Sequence, residues 1–262
     1  MSILDTIIEE KRKHVAECKK LIGQHEFEHE PLFNRKTISL KERMLQPNSS
    51  GIIAEFKRQS PSKGIINDKV LPQIITKAYQ DAGVAGVSIL TDTPFFGGFP
   101  DDVILSRKEL SIPILRKDFI VDEYQLFEAK ALGADVILLI AAVLEKEEVA
   151  HLAKIASSLG LEILFEVHDS EELEKICPEV TFVGVNNRNL KTFAVDLDQS
   201  MQLAKLIPDN FLKISESGIE NPETIKKLKL SGLNGFLIGE SFMKTDNPGG
   251  ACKRFIEQLQ LL

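Results

Sequence analysis

The sequence predicts a closed (β/α)8 barrel, eight parallel strands alternating with helices, preceded by an N-terminal helical extension. Three observations carry that expectation. Short apolar runs alternate with amphipathic stretches from residue 51 onward, about eight times over roughly 210 residues. The runs are apolar on both faces, as strands covered on both sides must be. No linker, repeat or low-complexity tract interrupts the series. The chain of 262 residues therefore reads as one domain, with residues 1–50 as the extension and about 51–262 as the barrel. A doubly wound open sheet is the architectural alternative.

Taken in order, ILDTIIEEKRKHVAECKKLI is expected to form one helix, with Ile3, Leu4, Ile7 and Ile8 giving its apolar stripe. SLKERMLQ is a weaker second helix. Both are placed to cap the barrel's bottom or to contribute to its mouth. The strands are GIIAEF, AGVSILT, IPILRK, ADVILLIAA, LEILFEV, TFVGVNN, FLKISES and NGFLIG. Between them, LPQIITKAYQDAG, VDEYQLFEAKALG, EKEEVAHLAKIASSLG, DSEELEKIC, DLDQSMQLAKLI and NPETIKKLKLSG read as helices. Most start near Asp, Glu or Asn, and several end in Gly, as capping requires.

Composition narrows the function classes. With 43% hydrophobic and 27% charged residues the chain reads as a soluble globular protein with a large core. Its 39 acidic residues outnumber 32 basic ones, and the net charge of −7 disfavours a nucleic-acid surface. Cys18, Cys177 and Cys252 lie far apart with no paired spacing, so neither disulfides nor a zinc ribbon is expected and a reducing cytoplasm fits. No run approaches the roughly 18 apolar residues of a membrane span, and no export signal is read at the N-terminus.

Polar residues at strand ends break the apolar pattern. In a barrel the carboxyl ends of the strands converge on one face, where the site is built. The first run ends in Glu55 and Lys57, the third in Arg116, Lys117 and Asp118, the fifth in Glu166 and His168. The sixth ends in Asn186, Asn187 and Arg188, and the seventh in Ser215, Glu216 and Ser217. Side chains alternate along a strand, so Glu55 and Lys57 project to one side. Three carboxylates and two lysines at one mouth shift one another's proton affinities, as acid–base work needs; an ion-pair network without catalysis is the structural alternative. Gly just past the last two strands, in Ser217-Gly218 and Gly239-Glu240, offers backbone N–H groups to a phosphate. Ser60 and Lys63 join them from AEFKRQSPSKG, a loop shaped by Pro61 and Gly64.

At these residues the sequence resembles the indole-3-glycerol phosphate synthase family of tryptophan biosynthesis. The motifs AEFKRQSPSKG, ILTDTPFFGG, PILRKDFIVDEYQ, GADVILLIA, LFEVH, VGVNNRNL, ISESGI and FLIGESFM stand in family order over nearly the whole chain. The resemblance implies decarboxylation, ring closure and dehydration of 1-(2-carboxyphenylamino)-1-deoxyribulose 5-phosphate, giving indole-3-glycerol phosphate, carbon dioxide and water, with no metal and no cofactor. It further implies Lys117 as general acid of ring closure, Glu166 as partner carboxylate, and Glu55 and Lys57 in the same centre. Asn186, Arg188 and Glu216 match polar positions around the substrate. Phe96, Phe119, Leu138 and Leu190 match an apolar anthranilate pocket, and Ser60, Ser217, Gly218 and Gly239 match the phosphate site. Gln59 departs from the pattern, standing where many relatives carry a small residue. Glu240 also departs, and it is expected to offer its N–H with its carboxylate turned away from the phosphate. The implied partner is a small phosphorylated substrate, not nucleic acid or membrane, with possible weak association with other tryptophan-pathway enzymes. Another phosphosugar barrel such as phosphoribosylanthranilate isomerase, or a non-catalytic binder of phosphorylated ligands, is the alternative. The isomerase leaves Lys57, Lys117 and Glu166 together unexplained, and the binder leaves the acid–base set unexplained.

Overall fold

A computed structural model describes residues 2–189 and 192–262. Eight strands close a barrel, all pairs parallel: β1 (Ile52–Phe56), β2 (Gly86–Leu90), β3 (Ile114–Lys117), β4 (Val136–Ile140), β5 (Glu162–Val167), β6 (Phe182–Asn186), β7 (Leu212–Glu216) and β8 (Gly235–Ile238). Each of the eight expected runs holds one strand. The seam joins first to last, with Ile52, Ile53 and Ala54 opposite Phe236, Leu237 and Ile238. The open-sheet alternative is thereby overturned.

Period-two alternation sorts the strand residues into two layers. Inward-facing Ile53, Leu115, Leu138, Leu164, Phe182 and Ile214 form the interior stack, while outward-facing residues such as Ile52, Ile89 and Phe165 pack beneath the helices. Burying large aliphatic side chains stabilises by about 1.5–3 kcal/mol each, so both layers lock the strand ends where functional side chains emerge.

The two extension helices divide their work. Helix α1 (Ile3–Leu21) starts at a capping box, in which Ser2 Oγ accepts from the Asp5 N–H and the Asp5 carboxylate accepts from the Ser2 N–H. It lies over the mouth, where Ile3, Leu4 and Ile7 reach the central cavity. Helix α2 (Leu40–Met44) plugs the opposite end, with Leu40 and Met44 joining the interior stack. Gly86 and Gly235 make this possible: a Cβ on Gly86 would lie 2.8 Å from Leu40 Cδ1, and one on Gly235 would overlap Met44 Cε. At that same end Asp135 is fully buried between Arg107 and Arg35, each at 2.7 Å.

Around the barrel run α3 (Pro72–Asp81), α4 (Thr93–Phe96), α5 (Pro100–Arg107), α6 (Tyr124–Leu132), α7 (Lys146–Ser158), α8 (Leu197–Leu203), α9 (Pro222–Leu230), α10 (Glu240–Met243) and α11 (Pro248–Gln260). One expectation fails here. DSEELEKIC forms only a short 3-10 segment, Glu172–Lys175, because Glu172 turns back to accept the His168 N–H at 2.6 Å and Pro178 follows closely. Helices α4, α5 and α11 were not foreseen from the sequence.

Candidate active site

The mouth opens into a cavity of about 530 Å³ lined by residues from most strand ends and from α1. The top interior layer is largely polar because five of the eight strands end inward in a polar residue, while β2, β4 and β8 end inward in Leu90, Ile140 and Leu237. Glu55, Lys117, Glu166, Asn186 and Glu216 all occupy such positions, and register brings Asn186 opposite Glu216 and Glu166 opposite Gly184. Lys117 Nζ lies 2.5 Å from Glu216 Oε2 and 3.5 Å from Glu166 Oε2. Asn186 Nδ2 donates to Glu166 Oε1 at 3.1 Å, and Lys57 Nζ donates to Glu55 Oε1 at 2.5 Å. The two lysines thus sit in separate pairs within one cavity.

The charges are unevenly shared. Burial alone would lower the Lys117 ammonium, but Glu216, Glu166 and Glu55 outweigh it and raise its proton affinity. Burial would raise Glu166, but Lys117 and His168 hold it below the usual carboxylate range. Glu216 goes the other way: burial, with repulsion from Glu166 and Glu55, outweighs Lys117 and pushes it up to about 7. Its second oxygen, Oε1, has no hydrogen-bond partner among the described residues. Gly184 makes room for that oxygen, since a Cβ there would overlap it. Near neutral pH the arrangement therefore offers one ammonium, one firm carboxylate and one group poised between the two states, a set able to give and take protons.

One wall is apolar. The rings of Phe96 and Phe119 lie with centroids 5.9 Å apart, tilted by 44°, and Leu138 lines the same cavity with 2% exposure. Leu190 falls outside the described residues. Across the cavity Ser60, Ser217, Gly218 and Gly239 form the rim. Ser217 and Gly218 both have positive φ, 70° and 73°; Ser217 is one of two such non-glycine residues described. Gly239 is excluded from carrying a side chain by Glu55, whose Cβ would lie 3.0 Å from the added atom. Gln59 reaches away from the rim and donates to the Pro94 carbonyl at 3.3 Å.

The Glu240 expectation is corrected. Its carboxylate is not turned away but lines the cavity, 3.3 Å from Lys63 Nζ and 3.4 Å from Arg188 Nη2, which together offset its charge. Other strand-end residues take structural places. Alternation sends Arg116 outward to Asp118 and Glu128, at 3.1 and 2.5 Å. Asn187 is buried and donates to Ser215 Oγ and to the carbonyls of Glu216 and Ser217, fixing the end of β7. His168 stands beside the site, 3.5 Å from Glu166 and from Glu172. Phe193 and Val195, in the loop after β6, and Ile3, Leu4 and Ile7 also line the cavity. The loop pair carried no strand-end signal. The α1 stripe was visible as helical apolar spacing, which left open which end of the barrel it meets.

Comparison with known proteins agrees with this geometry. The family model described as indole-3-glycerol phosphate synthase matches residues 4–255. The chain is 46% identical over 258 residues to the indole-3-glycerol phosphate synthase of Bacteroides thetaiotaomicron, covering 98% of this chain and 99% of the relative. It is 42% identical over 257 residues to that of Salinibacter ruber, covering 97% and 95%. With that of Carboxydothermus hydrogenoformans the identity is 39% over 258 residues, covering 95% and 98%. A family match across nearly the whole chain, on a barrel whose mouth gathers these acids and lysines, means that the chain belongs to the indole-3-glycerol phosphate synthase family.

Proposed function

We propose that the mouth residues carry out the family reaction on 1-(2-carboxyphenylamino)-1-deoxyribulose 5-phosphate as follows. Lys117 donates to the ketone oxygen while the aromatic carbon attacks the carbonyl carbon, so that the developing alkoxide meets an ammonium already in place. Loss of carbon dioxide restores the electron pair to the ring. Dehydration then needs an acid for the departing hydroxyl and a base for a ring proton, and Glu166, held ionised by Lys117, serves as that base. Glu216, Lys57 and Glu55 complete the proton-carrying set, and Asn186 fixes Glu166. Phe96, Phe119 and Leu138 hold the anthranilate ring. The phosphate lies against Ser60, Ser217, Gly218 and Gly239, with Arg188 near its edge. The enzyme acts in the cytoplasm on this small phosphorylated substrate.

The observation that carries this reading is the sharing of Lys117 between Glu166 and Glu216 at the floor of a cavity with one apolar wall and one Gly-rich rim. A phosphate-binding protein has no use for the ammonium and its two carboxylates. The test is to mix purified protein with the carboxyphenylamino substrate without added metal and follow indole fluorescence. Product formation in proportion to protein is expected. Substrate that binds but is returned unchanged would overturn the catalytic reading.

A further inference from the structure

Helix α1 buries Ile7, Lys11 and Val15, one residue per turn along a single face. A lysine in the middle of an apolar seam needs a reason, because burying an ammonium is unfavourable unless it is paired. Lys11 Nζ lies 2.9 Å from Asp92 Oδ2 and 2.7 Å from Asp118 Oδ1, and the three side chains are 7%, 1% and 3% exposed. Burial would lower Lys11, but Asp118 and Asp92 outweigh it and keep it charged.

Both acids lead directly to the active site. Asp118 follows Lys117 in the chain and accepts the Phe119 N–H at 2.8 Å, the Thr91 hydroxyl at 2.7 Å and Arg116 at 3.1 Å. Asp92 caps α4, accepting the Phe95 N–H at 2.9 Å, and α4 carries Phe96. One ammonium from the extension therefore joins the strand end that presents Lys117 to the turn that presents the opposing ring wall. Without Lys11, Asp92 would lose the cation it pairs with, and Asp118 and Glu128 would share Arg116 alone.

We propose that Lys11 is a positioning residue for the reaction, fixing Lys117 and the Phe96–Phe119 wall relative to each other from a helix outside the barrel. The inference rests on the reading of Lys117 as the general acid. Displacing a catalytic group by about 1 Å costs on the order of 10²-fold, so the effect falls on turnover and not on stability alone.

The test compares steady-state kinetics and thermal melts of Lys11→Met, Lys11→Arg and, as an exposed control on the same helix, Lys13→Met. Lys11→Met should lose roughly 10–100-fold in kcat, with a raised KM, at temperatures where it is fully folded. Lys11→Arg should recover most of that loss, because a guanidinium can span two carboxylates, and Lys13→Met should match the parent. A folded Lys11→Met enzyme within about twofold of the parent in kcat and KM, whatever its melting temperature, overturns the proposal. Should Lys11→Met not fold, the Lys11→Met/Asp92→Asn pair, which removes one charge of each sign and keeps a capping side chain, is judged by the same two outcomes. Lys117→Met in the same assay separates the two readings. Parent-like turnover there sinks the role of Lys117, whereas parent-like kinetics in Lys11→Met alone sinks only this inference.

Discussion

The two ends of the barrel each bury a carboxylate against cations, and they do it in opposite ways. At the bottom, Asp135 is saturated: one oxygen accepts from Arg35 and the Ile38 N–H, the other from Arg107 and the Ile114 N–H, all between 2.7 and 2.9 Å. At the mouth, Glu216 holds Lys117 with one oxygen and leaves the other without a partner among the described residues, facing two further carboxylates. A saturated carboxylate has no freedom to change its proton; an undersatisfied one is held where a small perturbation moves it. The same residue types thus stabilise at one end and are kept reactive at the other.

Four substitutions break or sharpen that contrast. Lys117→Ala should lower kcat by roughly 10²–10⁴-fold while the thermal melt changes little, since it removes the donor but also relieves a crowded site. Steady-state kinetics beside calorimetry decide it, and a folded variant with near-parent turnover would remove Lys117 from the mechanism. Arg107→Met should do the reverse. Leaving Asp135 with one cation in a dry site should cost about 3–5 kcal/mol of stability, measured by denaturant unfolding, with kcat preserved at low temperature.

Gly184→Ala tests the space that the mouth reserves. The added methyl would overlap Glu216 Oε1 and lie 3.0 Å from Leu164 Cδ1, so an overpacking cost of about 1–3 kcal/mol is expected, together with weakened turnover as Glu216 is pushed from Lys117. Wild-type kinetics with an unchanged melt would show that the cavity yields freely.

Glu216→Gln concerns the sign of a pH effect. Because the folded protein holds the Glu216 proton up to about 7, against 4.5 for the ordinary group, this residue supports stability below its unfolded value and loses that support as pH rises through about 7. The glutamine variant should therefore melt above the parent at about pH 8 and lose that advantage near about pH 4, while being slower in turnover. A parent protein that becomes steadily more stable than the variant as pH rises would contradict the assignment.

Much of this was legible in the sequence, for a physical reason. Parallel strands buried on both faces read as continuous apolar runs, so polar residues at their ends stand out, and Lys117, Glu166 and Glu216 were visible one by one. Their sharing of one cation was not, because it depends on shear around the barrel. Gly184 sits inside an apolar run, where nothing signals that its missing side chain serves a residue at the end of the next strand. Lys11 reads as the solvated face of an amphipathic helix, since its carboxylates lie more than eighty positions further on. Helix α11 was hidden by its own start, where Pro248, Gly249 and Gly250 suggest a turn. Glu240 was misjudged because Lys63 and Arg188 are distant in sequence but meet at the rim.

The seam between β1 and β8 has a temporal consequence. Ser60 and Glu55 follow from the first strand, Gly239 from the last, and nearly the whole barrel separates them along the chain. During synthesis the first strand waits unpaired on that side until the last has emerged, so the rim that is read here as a phosphate site does not exist in any shorter intermediate. A ribosome-bound chain lacking β8 has Lys117 and the Ser217-Gly218 turn but not Gly239, so the rim proposed to hold phosphate is incomplete. The onset of phosphate affinity in a nascent chain would thus time the closure of the barrel, making the ligand a clock for the final folding step.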